Sequence, residues 1–189
     1  MAALLNLLTL LSLLLATESV NYNIVADEKM LVLPCSKEED RGNAVLSDFV
    51  DVTDLHLELD KDLQTFHISC DIKIKLLPKG PIKMQVDVYR WERGQWSPTV
   101  FALKRDDICR SLADPFEIWH LYIVTQIPKS QRICPPKLGQ VYNLRNITNR
   151  MTLKNMPRWD MEGDLKAVVH FTVGPKTICA LAFVTITIE

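Results

Sequence analysis

Along much of the chain apolar and polar residues alternate with the two-residue period of a β-strand, whose successive side chains point to opposite faces. Thr53 to Leu59 sets Leu55, Leu57 and Leu59 against Asp54, His56 and Glu58, the pattern of a half-buried strand. A longer alternation runs from Phe66 to Leu76. Its apolar phase is Phe66, Ile68, Cys70, Ile72, Ile74 and Leu76, and its polar phase is His67, Ser69, Asp71, Lys73 and Lys75. Proline and glycine between Leu77 and Pro81 mark a turn, after which Met84, Val86 and Val88 open a third strand, so the two form a hairpin. Arg93-Gly94 signals a further turn, followed by a fourth strand over Trp96 to Leu103.

Between Asp106 and Gln126 the period changes. Cys109, Leu112, Ala113, Phe116, Trp119 and Ile123 fall close to helical spacing, and Pro115 interrupts any continuous helix, which predicts one or two short helices. Pro128 to Gly139 (PKSQRICPPKLG) is loop by composition. Val141 to Leu144, Met151 to Leu153, Leu165 to Val173 and Ile178 to Ile188 read as later strands. In Leu165 to Val173 the apolar set Leu165, Ala167, Val169, Phe171 and Val173 stands opposite Lys166, Val168, His170 and Thr172. The expected fold is therefore mostly β, two antiparallel sheets in a sandwich with a short helical insert. There is no internal repeat, and neither G-x-G-x-x-G nor G-x-x-x-x-G-K-[ST] occurs.

Ahead of this pattern, Met1 to Ala16 is an almost unbroken apolar run followed by Ala16-Thr17-Glu18-Ser19. It reads as a secretory signal peptide over residues 1–19, too short for a membrane anchor, leaving residues 20–189 as one secreted domain. With 22 basic and 23 acidic side chains and no long block of either sign, the chain carries no footprint for nucleic acid. The five cysteines, Cys35, Cys70, Cys109, Cys134 and Cys179, lie downstream of the leader, where most are expected to pair and one stays single. None sits at zinc spacing, so neither a metal nor a cofactor is implied. Asn146-Ile147-Thr148 is a glycosylation sequon in keeping with a secreted product.

Candidate chemistry is sparse. His56, His67 and His170 occupy the polar phases of strands, where a solvated imidazole is the ordinary outcome. His120, beside Trp119, has no nucleophile elbow and no assignable carboxylate to orient it. Glu38-Glu39-Asp40 reads as a solvated turn, and the remaining carboxylates are scattered. The aromatic and apolar inventory is more suggestive. Phe66, Ile68, Met84, Val86, Phe101, Phe116, Trp119 and Tyr122 are candidates to line a cavity between the sheets, the alternative being ordinary core packing. Cys70, between Ile68 and Ile72 in the apolar phase, is expected to be a buried thiol packing as a small hydrophobe.

Four segments carry a resemblance. Asp106-Asp107-Ile108-Cys109, Cys134-Pro135-Pro136-Lys137-Leu138-Gly139-Gln140-Val141-Tyr142, Pro157-Arg158-Trp159 with Gly163-Asp164-Leu165, and Gly174-Pro175-Lys176-Thr177-Ile178-Cys179 follow one another in order. They resemble the D-x-C, C-P-x-K-x-G-x-Y, P-x-W-x-x-x-G and G-K-x-x-x-C segments of the lysosomal ganglioside-activator protein. With few cysteines and a short leader, the chain is most similar to the insect chemosensory B proteins, relatives of that activator. The activator's further cysteines around the helical loop are missing here.

The resemblance implies two splayed sheets around an apolar cavity and two bridges, Cys35 to Cys179 and Cys109 to Cys134. It also implies a secreted carrier or presenter of a hydrophobic small molecule or lipid, in chemosensation such as gustatory pheromone perception. The alternatives are an extracellular subunit docking a membrane receptor or channel and, third, a secreted lipid or glycolipid hydrolase. The first reading needs no catalytic step, and the chain is expected not to be an enzyme.

Overall fold

A computed structural model describes residues 19–27, 35–76, 79–117, 119–120 and 123–189. Residues 1–18 of the signal peptide expected over 1–19, and Tyr122, lie outside the described residues. The strands are β1 (Ser19–Ala26), β2 (Val50–Leu59), β3 (Phe66–Ile74), β4 (Ile82–Glu92), β5 (Gln95–Arg105), β6 (Val141–Thr148), β7 (Arg150–Pro157), β8 (Gly163–Val173) and β9 (Lys176–Ile188). They form two antiparallel sheets. One has six strands in the order β5-β4-β8-β9-β1-β7, the other three in the order β2-β3-β6. The helix α1 (Ile108–Ala113) follows β5. This is the two-sheet β fold with a short helical insert that the alternation predicts.

Turn chemistry fixes the hairpins. Arg93 and Gly94 both have positive φ, 52° and 82°, which is the primed geometry that joins β4 to β5 without splaying them. In the turn between β2 and β3, the Asp62 carboxylate accepts from the Thr65 hydroxyl and from the backbone N–H groups of Thr65 and Gln64. Those bonds lower its pKa to about 2.

The sheets meet through Phe49, Val173 and Ile178, all buried, with Val50, Leu76, Ile82 and Phe171 packed around them. A second cluster, Tyr22, Leu165 and Ile186, is covered by Met156 and Met161. There the Tyr22 hydroxyl donates to the carbonyl oxygens of Pro157 and Trp159 and accepts from the Trp159 N–H. At Asn149 the chain passes from the small sheet to the large one. The buried Asn149 side chain accepts from Phe66 N–H at 3.0 Å and donates to the carbonyls of Ala26 at 3.0 Å and Gln64 at 3.3 Å. Three elements are thus fastened by one amide.

The structure corrects the sequence reading in four places. β3 and β4 are consecutive but do not pair as the expected hairpin: β3 lies between β2 and β6 in the small sheet and β4 between β5 and β8 in the large one, so the chain passes from one sheet to the other between Ile74 and Ile82. β1 was not anticipated; its alternation of Val20, Tyr22 and Ile24 directly abuts the apolar leader. β2 is not half-buried. A bulge between Thr53 and His56, with Asp54 at φ 52°, displaces the alternation, and Leu55, Leu57 and Leu59 are 49–60% exposed on this edge strand. The polar phase of β8 is not solvated either. Lys166 and His170 are each only 8% exposed, because residues 35–44 lie across that face as a strap. Glu39, expected in a solvated turn, forms a salt bridge with Lys166, and His170 Nε2 donates to the Glu39 carbonyl at 2.9 Å. The strap is clipped to β9 by the Cys35–Cys179 disulfide.

Candidate functional site

The second clipped segment is the helical insert. Asp107 caps α1 by accepting from the Cys109 N–H at 3.0 Å, and the helix stops at Asp114, before Pro115, whose ring cannot continue it. Short 3₁₀ turns follow at Val124–Gln126 and Lys129–Gln131. The chain then returns to α1 through the Cys109–Cys134 disulfide, across a sequence separation of 25.

Side-chain hydrogen bonds lash the returning loop to the small sheet. Gln131 Oε1 accepts from Asn143 N–H at 2.8 Å, Asn143 Nδ2 donates to Asp71 at 2.8 Å, and the Tyr142 hydroxyl donates to the Ile133 carbonyl at 2.6 Å. Burial pushes the Tyr142 phenol above its ordinary pKa, partly opposed by the Gln140 side chain. Its proton is therefore well held for that bond.

Beneath the insert lies a cavity of about 460 Å³. Its floor is Ile72, Tyr142 and Leu144 of the small sheet with Ile82 at the start of β4. Its roof is Ile108, Leu112, Ile123, Val124, Ile127 and Ile133. Among the described residues of this lining, the side chains with polar groups are His120, Arg132 and Tyr142. His120 Nδ1 donates to the Leu112 carbonyl at 2.7 Å. Arg132 donates from Nε to the Ile127 carbonyl at 2.8 Å and from Nη2 to the Thr125 carbonyl at 3.0 Å. A space lined mainly by isoleucine, leucine and valine with a few polar groups suits an apolar guest.

Two other hollows differ in kind. The one beneath the strap is about 310 Å³ and polar, with Glu39, Asp87, Lys166 and His170 in its walls. A broad cleft of about 1000 Å³ at the Asn149 end mixes Leu59, Leu63 and Phe66 with Asn23, Gln64 and Arg150.

The positions singled out in the sequence are dispersed. Phe66 is buried in β3 and faces the broad cleft. Ile68, Val86 and Phe101 are half-buried along their strands, and Met84 is buried at the start of β4. Trp119 is half-buried with its Nε1 donating to Ser111 Oγ at 2.8 Å, while Phe116 is 92% exposed. None of these seven lines the cavity under the insert. The residues that do were legible only in part. Cys109, Leu112 and Ile123 were noted for helical spacing, whereas Ile127 and Ile133 sit in segments with no period.

Both expected disulfides are formed, and Cys70 is a buried thiol whose pKa is raised by burial. Asn146 of the sequon is exposed in β6 at φ 55°, its N–H donating to Ser69 Oγ at 3.0 Å. Among the described residues no group of three or more His, Cys, Asp or Glu side chains is placed to hold a metal, and no helix is long and apolar enough to cross a membrane.

No protein-family model and no curated protein matches the chain. Among solved structures it is similar to a β-glucuronidase of Parabacteroides merdae, crystallised with glycerol in its active site, at 17% identity and a TM-score of 0.25. The match covers 71% of this chain, which spans 13% of the length of that enzyme. A likeness this slight carries neither fold nor function across.

Proposed function

We propose that the chain is a secreted binding protein that carries or presents a lipid-like ligand, with the chemosensory setting that its sequence resemblance suggests. The observation that carries this is the apolar cavity under the insert, about 460 Å³. An apolar cavity of about 150 Å³ holds one benzene, so this one has room for roughly eighteen non-hydrogen atoms. Each methylene withdrawn from water contributes about 0.8 kcal/mol. A chain of ten to twelve carbons thus offsets the cost of association and reaches a Kd on the order of micromolar. The two disulfides support an extracellular setting, since such bonds persist in oxidising compartments.

The test is titration of the delipidated protein with 1-dodecanol. The expected result is one bound molecule per chain, lost in Leu112→Trp, which fills the cavity, and retained in Phe116→Ala, which lies outside it. Absence of binding, or binding that Leu112→Trp leaves intact, overturns the reading.

A second reading, docking to a receptor or channel, is favoured by the exposed apolar row Leu55, Leu57 and Leu59 on β2. Such rows on a free sheet edge mark protein contacts.

A further inference from the structure

The cavity's polar groups are unevenly satisfied, and the imbalance bears on the chemistry of the guest. Tyr142 gives its hydroxyl proton to the Ile133 carbonyl and His120 gives its Nδ1 proton to the Leu112 carbonyl. Arg132 is held by Nε and Nη2 on the carbonyls of Ile127 and Thr125, so its plane is fixed without being neutralised. Its Nη1 has no partner among the described residues, and none of their carboxylates pairs with it. Among the described residues the lining contains no Asp or Glu. Arg132 is exposed on the solvent side of the lining, and a guanidinium cannot lose its proton, so that side of the cavity carries a solvated positive charge at any accessible pH.

We infer, building on the binding reading above, that the preferred occupant is an anionic amphiphile, a long-chain carboxylate whose tail fills the apolar space and whose head lies against Arg132. The two remaining polar groups sort head groups by chemistry. His120, whose Nδ1 donates to the Leu112 carbonyl, presents Nε2, which can accept from an alcohol. Arg132 Nη1 offers donors and charge, which suit a carboxylate, and a charge-assisted bond is the stronger of the two. Guanidinium donors already fixed in place lose little further freedom when a head group arrives.

Three probes with the same twelve-carbon tail separate the possibilities at pH 8: dodecanoate, 1-dodecanol and dodecyltrimethylammonium. The acid is expected to bind about tenfold more tightly than the alcohol, the size of one charge-assisted hydrogen bond, and the ammonium more weakly than both. Arg132→Gln should abolish the preference, bringing the acid to the alcohol's affinity in the same variant, while Arg132→Lys, which keeps the charge, should retain most of the preference and Phe116→Ala, outside the cavity, should leave both affinities unchanged. Equal binding of acid and alcohol by the native protein overturns the inference and leaves the carrier reading standing, as does a preference that survives Arg132→Gln. Failure of all three probes to bind removes both.

Discussion

Two stretches of this chain are fastened across the sheets by a disulfide, and what lies beneath them differs. The strap over residues 35–44 covers the polar phase of β8 and lines the smaller hollow beneath it with charged and hydrogen-bonding groups. Glu39 reaches Lys166, whose ammonium also sits 5.0 Å from the Tyr89 ring centre and 5.2 Å from that of Trp96, and the Glu39 carbonyl accepts a hydrogen bond from His170 Nε2. The insert closed by Cys109–Cys134 presents isoleucine and leucine to isoleucine and leucine and leaves the larger volume open. Both clips constrain the unfolded chain in the same way. Partners under the clip, not the clip itself, decide whether the enclosed space is structural or available to a guest.

The largest effects should come from the clips. Loop-closure entropy assigns about 5 kcal/mol to Cys35–Cys179, closing 144 residues, and about 3.5 kcal/mol to Cys109–Cys134, closing 25, both as upper values. In urea unfolding, Cys35→Ser with Cys179→Ser is expected to lose more stability than Cys109→Ser with Cys134→Ser. Dodecanol binding should show the reverse order, surviving the first pair in the folded fraction and disappearing with the second. Loss of binding in both pairs erases the distinction between the regions.

Smaller effects sharpen it. Lys166→Met strands the Glu39 carboxylate beneath the strap and is expected to cost about 3 kcal/mol, largely recovered when Glu39→Leu is added. Leu112→Ala, on a half-buried side chain facing open space, should cost only about 1 kcal/mol yet weaken dodecanol binding. A Leu112→Ala penalty as large as that of Lys166→Met in denaturant melts would mean the cavity is packed.

The least effect is in pH response. Burial alone would raise the Glu39 pKa, but the bond from Lys166, helped by those from Ser36, outweighs it and holds the carboxyl below its ordinary 4.5. A folded value below the unfolded one means that its contribution is fully present above pH 4.5 and fades as pH falls through the lowered value. Tyr142 is shifted the other way. Its folded value lies above the ordinary 10.0, so its contribution is complete below pH 10 and is lost as pH rises through the raised value. Amide chemical shifts should therefore move first in the strap under acid and first around Ile133 and Tyr142 under alkali. Both regions moving in one window contradicts this.

Much of the fold was legible because strand burial has a period that side chains report directly. Phe66 to Ile74 is a strand in the predicted phase, and β4, β5, β8 and β9 fall where alternation places them, with ends set by the Arg93-Gly94 turn and similar signals. The helix breaks before Pro115 as its chemistry requires. What was not legible depends on chain segments distant in sequence. Nothing local to Lys166 or His170 announces that residues 35–44 will cover them. The bulge at Asp54 cannot be read from TDLHLEL, whose letters alternate without a break. The cavity escaped for the same reason: it forms where Ile72, Ile82, Leu112 and Ile133 converge from four segments, and the bulky aromatics Phe66, Phe101, Phe116 and Trp119, the most visible apolar residues, do not line it.

The most direct test of the central claim is to locate the guest. Intermolecular NOEs between the alkyl chain of bound dodecanoate and methyl-labelled protein should connect it to Ile72, Ile108, Leu112 and Ile133. Contacts confined to Leu57, Leu59 and Leu63 would place the ligand on the exposed edge strand and its turn, and would contradict a binding cavity beneath the insert.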